Sequence, residues 1–284
     1  MRILDVHVHY VGGRGEEAER FVREARDGGI ERAVVFAWND QDGGYPGLEE
    51  IGRLAERFGE FVIPFGYVMP GRHDGLKETR EAARRGFAGI KLIFPAKPFD
   101  DDEYFPIYEA AAKAGMACLF HTGIMVGTAR PDEGPYDYQR RWRVSSGYMR
   151  PVTLDRIART FPEMPIIGAH LGSGAWYEEA AEIMRWNGNV YFDLSIGQMH
   201  YVRKDARPGE EPRAIRPRIR ELYETGQLKL EKVVFGSDAM MGKAGASTAW
   251  ALRTLEFELE GLGATEAEKQ AVRWGTAARI LRVK

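Results

Sequence analysis

Eight short apolar runs alternate with amphipathic stretches along almost the whole of this chain, and that alternation most constrains its fold. The runs cover residues 3–9, 33–38, 62–68, 89–94, 117–121, 165–171, 190–194 and 233–238. Helix-like stretches follow at 16–27, 48–57, 76–85, 105–114, 153–160, 176–186 and 215–224, and two more close the chain at 248–261 and 267–281. Many of them end at a helix-stopping glycine: Gly28, Gly59, Gly86, Gly115, Gly188 and Gly226. Thr265 with Glu268 has the spacing of a capping box for the last helix. Eight strand–helix units close most naturally into a barrel. We therefore expect one α/β domain over residues 1–284, a distorted (β/α)8 TIM barrel. An open doubly wound sheet would usually place a glycine-rich phosphate turn after its first strand. Here that position reads His7-Val-His-Tyr-Val-Gly-Gly13, with no GxGxxG pattern.

Composition narrows the class. The 284 residues are 44% hydrophobic and 29% charged, enough for a large core in a chain of this length. A formal net charge of −2 argues against nucleic acid as the main partner. No stretch approaches the roughly 20 apolar residues of a membrane span. The first strand begins at once, leaving no room for a signal peptide, and the single cysteine, Cys118, fits a reducing cytoplasm. Cys118 shares a face with Phe120 and reads as a small buried hydrophobe. Two connections are long, about 122–151 and 195–213. In a barrel both lie at the carboxyl ends of the strands, where active sites form.

Polar residues that seldom occupy apolar runs stand at the ends of these. Side chains two apart in a strand share a face, so Ile3, Asp5, His7 and His9 are expected on one side. His121 shares a face with Leu119 and Ala117, His170 with Gly168 and Ile166, and Asp238 with Gly236. Five such groups at one end of one barrel are costly to bury unless they bind something. A ring of imidazoles with one carboxylate suits Zn²⁺ or a similar divalent ion, with Mn²⁺ also compatible. Lys91, flanked by Ile90 and Leu92, would face the same interior. Its plainer reading is a structural ion pair.

With these residues in place the chain resembles the amidohydrolase superfamily, in particular amidohydrolase family 2, whose members are similar to aminocarboxymuconate semialdehyde decarboxylase. The resemblance is carried by Asp5-Val-His-Val-His9, Gly89-Ile-Lys-Leu92, Leu119-Phe-His-Thr-Gly123, Met149-Arg-Pro-Val-Thr-Leu-Asp155, Gly168-Ala-His-Leu-Gly172, Phe235-Gly-Ser-Asp238 and Trp274-Gly-Thr-Ala-Ala-Arg-Ile-Leu281. It implies that His7, His9, His121 and Asp238 hold one metal. It further implies that His170 orients or deprotonates the nucleophilic water. A lysine at the position of Lys91 bridges two metals, once carboxylated, in binuclear relatives; in family 2 it would contact a substrate anion or Asp238. The chain departs from many relatives at Asp238-Ala-Met240, where they carry Asp-Tyr-Pro. Relatives are often dimers, so a homodimer is one expectation.

Such a centre makes hydroxide available near neutral pH, and histidine titrates in the range needed to manage the proton. Hydrolysis of an ester, lactone or amide is the first expectation, with His170 and Asp238 as the proton-handling pair. Non-oxidative decarboxylation of an aromatic or muconate-type acid is the alternative, and a non-catalytic metal-binding barrel is a third reading. The connection after the fifth strand carries Arg130, Arg140, Arg141, Trp142, Arg143, Tyr148 and Arg150 with Tyr136 and Tyr138, which suits a small planar anion. A solvated surface or a dimer contact would explain it equally. Arg150 is the first choice for the anion contact, with Trp38 and His200 as further pocket residues. Asn39 and Asp40 are explained equally by turn chemistry, and His73 reads as a loop histidine. Asp193 would support the metal ligands or simply bond along the barrel rim.

Overall fold

The computed structural model describes residues 2–12, 15–38, 47–125, 143–195, 217–243 and 248–283. Among the described residues nine strands form one sheet: β1 (Ile3–Tyr10), β2 (Ile30–Ala37), β3 (Val62–Val68), β4 (Gly89–Leu92), β5 (Ala117–Phe120), β6 (Ile166–Gly168), β7 (Val190–Asp193), β8 (Val233–Val234) and β9 (Ala239–Met241). Every neighbouring pair is parallel, in the order β8-β7-β6-β5-β4-β3-β2-β1-β9. Parallel neighbours need a crossover, and helices supply most of them: α1 (Gly15–Asp27), α2 (Leu48–Phe58), α3 (Gly75–Arg84), α4 (Phe105–Lys113), α5 (Thr153–Thr160), α6 (Tyr177–Trp186) and α7 (Pro217–Glu224). The sheet curls until its ends meet. Val6 N donates to Phe235 O at 2.9 Å, and Asp238 N donates to His7 O at 2.8 Å.

The expected eighth strand is thus split. Val233 and Val234 pair with β7, while Ala239–Met241 pair with Val8–Tyr10 of β1 as the ninth strand. Between the halves, Asp238 takes a left-handed φ of 57°, which no apolar pattern announces. The C-terminal region also differs from one helix at 267–281. After α8 (Ala249–Gly261), α9 (Glu266–Gln270) runs through a π turn (Ala271–Gly275) into α10 (Thr276–Ile280). The Thr265–Glu268 capping box is present in both directions.

Burial follows the two periods. On α1 the buried residues are Ala18, Phe21, Val22 and Ala25, spaced as one helical face. On β2, Val35 packs into the cluster shared with the helices, whereas Val34 and Phe36 pack into a second, inner cluster with Phe65, Leu119 and Val234. On β1, Ile3 and Val8 pack in the helix-side cluster and Leu4 and Val6 in the inner one, so a single alternation does not run the length of the strand, which shifts register against β2 between Ile3 and Leu4 and again between Asp5 and Val8. Cys118 and Phe120 pack with the helix-side cluster, and burial pushes the Cys118 thiol further up from its ordinary value.

Candidate metal centre

The carboxyl ends of β1, β5, β6, β7 and the β8–β9 turn deliver their polar side chains to one buried place. His7 is central. Its Nδ1 lies 2.8 Å from Asp193 Oδ2, so the proton sits on Nδ1 and the lone pair on Nε2. That Nε2 lies 3.2 Å from His9 Nε2, 3.2 Å from Asp238 Oδ1 and 3.3 Å from Lys91 Nζ. His9 Nε2 is 3.0 Å from Asp238 Oδ1. One donor atom from each of His7, His170 and Asp238 lies within 4.8 Å of the others. The His121 ring lies edge-on to that of His170, their centres 4.9 Å apart.

His170 reaches this place by a route that strand alternation does not give. Ile167 and Ala169 belong to the inner cluster, while Ile166 packs with the helix side. Continued alternation would therefore keep His170 on the face of Gly168 and Ile166, which is the helix side, and turn it away from the interior. Instead His170 adopts φ 65° and ψ 13°, immediately after the strand ends. Its backbone N–H donates to Asp193 Oδ1 at 2.7 Å, and its Nδ1 lies 2.5 Å from Ser195 Oγ. Asp193 also accepts from Ser195 N at 2.9 Å. One carboxylate thus orients His7 and anchors His170, the supporting role weighed for Asp193 from the sequence.

Burial sets the charge states. Desolvation lowers His7 and His9, takes His170 down to about 4 and holds His121 well below its usual value, so all four imidazoles are neutral at pH 7. Burial pushes Asp193 and Asp238 upward, but the histidines around them outweigh it and keep both ionised. Lys91, fully buried, is lowered to about 8 by desolvation, partly offset by Asp193 and Asp238. A buried Asp193 and a partly buried Asp238 against one ammonium leave net negative charge largely removed from water, which is costly without a cation. Nitrogen lone pairs facing one another, with the buried His9 Nδ1 and His121 Nε2 lacking hydrogen-bond partners, complete a donor set that fits a divalent ion.

Trp38 also belongs here, its ring 4.6 Å from that of His9. Arg150 does not. Its guanidinium is exposed, pairs with Glu179 and stacks over Trp176, so it is not turned toward the cluster. Glu179 also accepts from Val152 N at 2.8 Å, which fixes the carboxylate that captures Arg150. Among the described residues Lys91 makes no direct ion pair within 4 Å; Asp193 and Asp238 act on it from farther off, and its near neighbours are His7 and the Phe36 ring, 5.2 Å away. His200, Asn39, Asp40, Arg130, Tyr136, Tyr138, Arg140, Arg141 and Trp142 lie outside the described residues.

Three participants carried no assigned role in the sequence. Asp5 Oδ1 accepts from His7 N at 3.0 Å and Ser237 N at 2.9 Å, tying β1 to the turn that carries Asp238. Burial raises Asp5 to about 7. Its position two before His7, where strand alternation leads one to expect a shared face, was a usable signal. Phe36, 4.7 Å from His9 and 5.4 Å from His7, forms an aromatic wall, and Ser195 holds His170. Nothing in the local sequence marks either one.

Residues 5–283 match the family model described as Amidohydrolase. No curated protein matches the chain. Among solved structures it is similar to an uncharacterized TIM-barrel protein from Bordetella bronchiseptica, at 17% identity and a TM-score of 0.68, covering 100% of this chain and 99% of that one. It is also similar to a 2,6-dihydroxybenzoate decarboxylase from Rhizobium, at 13% identity and TM-score 0.62, covering 100% and 99%. A probable 2-pyrone-4,6-dicarboxylic acid hydrolase from Acinetobacter baumannii aligns at 11% identity and TM-score 0.60, covering 99% and 100%. These likenesses establish the barrel, and the match over nearly the full length establishes more: the chain belongs to the amidohydrolase family.

Proposed function

We propose that this protein is a metal-dependent hydrolase that cleaves an ester, lactone or amide bond in a small acidic substrate. The observation that carries the reading is the convergence of His7, His9, His170 and Asp238 on one buried place, with His7 oriented by Asp193. His7, His9, His121 and Asp238 would hold one divalent ion, zinc being the first choice for this nitrogen and oxygen set. When bound, that ion supplies Lewis acidity and brings the ionisation of water toward neutral pH. His170, neutral at pH 7 and held at Nδ1 by Ser195, can accept a proton at Nε2. Asp238, ionised and beside His9, can pass a proton toward a leaving group. Lys91 supplies a positive charge for a substrate carboxylate, and Phe36 and Trp38 offer aromatic faces to a planar one.

That aromatic wall also favours a second reading, decarboxylation of a planar acid by the same residues, since a dry apolar surround disfavours a carboxylate and favours neutral CO2. Metal content per chain of protein purified without added metal, with His7→Ala and Lys91→Met alongside, tests the centre. One equivalent, lost in His7→Ala and kept in Lys91→Met, supports it. Two equivalents, falling in Lys91→Met, indicate a carboxylated lysine bridge. No metal taken up from zinc or manganese overturns the proposal. Assays of acidic lactones and aromatic acids then separate ring opening from CO2 release. A His170→Ala protein that behaves like wild type on every substrate tested, with neither turning any over, would favour a non-catalytic barrel.

A further inference from the structure

The segment that carries His170 is a run of left-handed residues: His170 at φ 65°, Leu171 at 45°, Gly172 at 72°, Ser173 at 58° and Gly174 at 72°. Residues with a Cβ avoid this conformation, and consecutive ones persist only where the surroundings impose it. The surroundings here are specific. Thr122, fully buried on the turn after β5, spans the start of the run with its hydroxyl. Its Oγ1 donates to Ala169 O at 2.5 Å and accepts from Gly172 N at 3.3 Å. Its carbonyl accepts from Ser173 Oγ at 3.2 Å. Within the run, Ser173 N closes back on His170 O at 2.8 Å.

We infer that Thr122 is a positioning residue for His170, latching the left-handed turn that swings this imidazole into the barrel. The hydroxyl joins the residue before His170 to the residue two after it, so the turn cannot unwind without breaking both bonds. Ala169 and Gly172 are buried, and loss of the hydroxyl would leave a carbonyl and an N–H unpaired there. The turn could then relax toward ordinary strand geometry, which points His170 away from His7 and Asp238. The inference concerns how His170 is held. Its bearing on turnover rests on the proposed hydrolase reading.

The test uses Thr122→Val, which keeps the shape and removes the hydroxyl, and Thr122→Ser, which restores it. Thermal unfolding first confirms that each is folded. The primary readout is the ring ¹⁵N spectrum of histidine-labelled, metal-free protein, with the His170 signals identified by their loss in His170→Gln. We expect those signals to move in Thr122→Val and to return to the wild-type positions in Thr122→Ser. With zinc loaded and an acidic lactone as substrate, kcat should fall roughly tenfold or more in Thr122→Val, with KM within about twofold, and recover in Thr122→Ser. Unmoved His170 signals in a folded Thr122→Val protein, or equal movement in both variants, overturn the inference. A wild-type protein without hydrolytic activity would count against the hydrolase reading, while the spectra would still decide the role of Thr122. Should Thr122→Val fail to fold, Thr122→Ala takes its place against the same serine control.

Discussion

Asp193 does more than any other side chain to organise the centre, because its two oxygens serve different histidines. One fixes the Nδ1 proton of His7 and the other anchors the backbone of His170. Asp193→Asn should retain the His170 and Ser195 contacts yet present an amide to His7, favouring the wrong tautomer. We expect zinc affinity to fall about 10–100-fold, measured by competition with a chromogenic chelator, with little change in unfolding temperature. A second prediction concerns Glu78, on α3 and away from the centre. Burial, with Asp74 adding to it, raises this carboxyl to about 7, and its Oε2 is buried without a partner. The folded chain therefore holds a proton that the unfolded chain releases at lower pH. The Glu78 contribution to stability should be fully present below about pH 4.5 and lost as pH rises through about 7. Glu78→Gln should flatten this part of the wild-type stability profile and raise the unfolding temperature above pH 7, as followed by circular dichroism from pH 4 to 8. An unchanged pH slope would refute this.

At the scale of elements, close approach between strands decides which positions tolerate a side chain. A Cβ on Gly89 of β4 would stand 2.4 Å from Ala117 O of β5 and 2.4 Å from the Phe65 ring. The carbonyl belongs to a backbone ladder and cannot step aside. Gly188, between α6 and β7, has nothing within 4 Å of the same construction. Gly89→Ala should lose on the order of 1–3 kcal/mol or more in urea unfolding, and Gly188→Ala should stay within about 0.5 kcal/mol of wild type. Equal effects would show that the β4–β5 approach relaxes freely. The sequence pattern located seven of the strands to within a few residues, because period-two alternation and flanking glycines are local signals. It missed the split of the eighth, since β9 exists only through its pairing with β1, about 230 residues earlier, and the left-handed Asp238 that redirects the chain is set by that pairing.

For the whole molecule, buried charge couples the centre to stability. Asp238 and the neutral histidines gather at one rim of the barrel, so an ion that binds the folded barrel there should stabilise it in proportion to ln(1 + [L]/Kd). At one hundred times Kd the gain is about 2.7 kcal/mol, or roughly 4–5 °C in a chain of this size. Removing metal with a chelator should lower the unfolding temperature by this order, and readdition of Zn²⁺ should restore it. His7→Ala should show no response. Among the described residues no helix is long and apolar enough to cross a membrane.

What the sequence alone determined is the barrel and the histidines and Asp238 that its strand ends bring together. Both are written in short-range periodicity and in the order of strand ends, and a parallel barrel brings all its strand ends to one rim whatever the loops do. Where each side chain points was a tertiary decision. His170 enters the cluster because Asp193, Ser195 and Thr122 hold a left-handed turn against strand alternation. Arg150 leaves it because Glu179, 29 residues later, offers a nearer anion. Asp5 matters because it meets the N–H of Ser237 across 232 residues of chain. Each of these outcomes depends on a partner remote in sequence, and hydrogen bonds between remote partners leave no periodic trace in either segment.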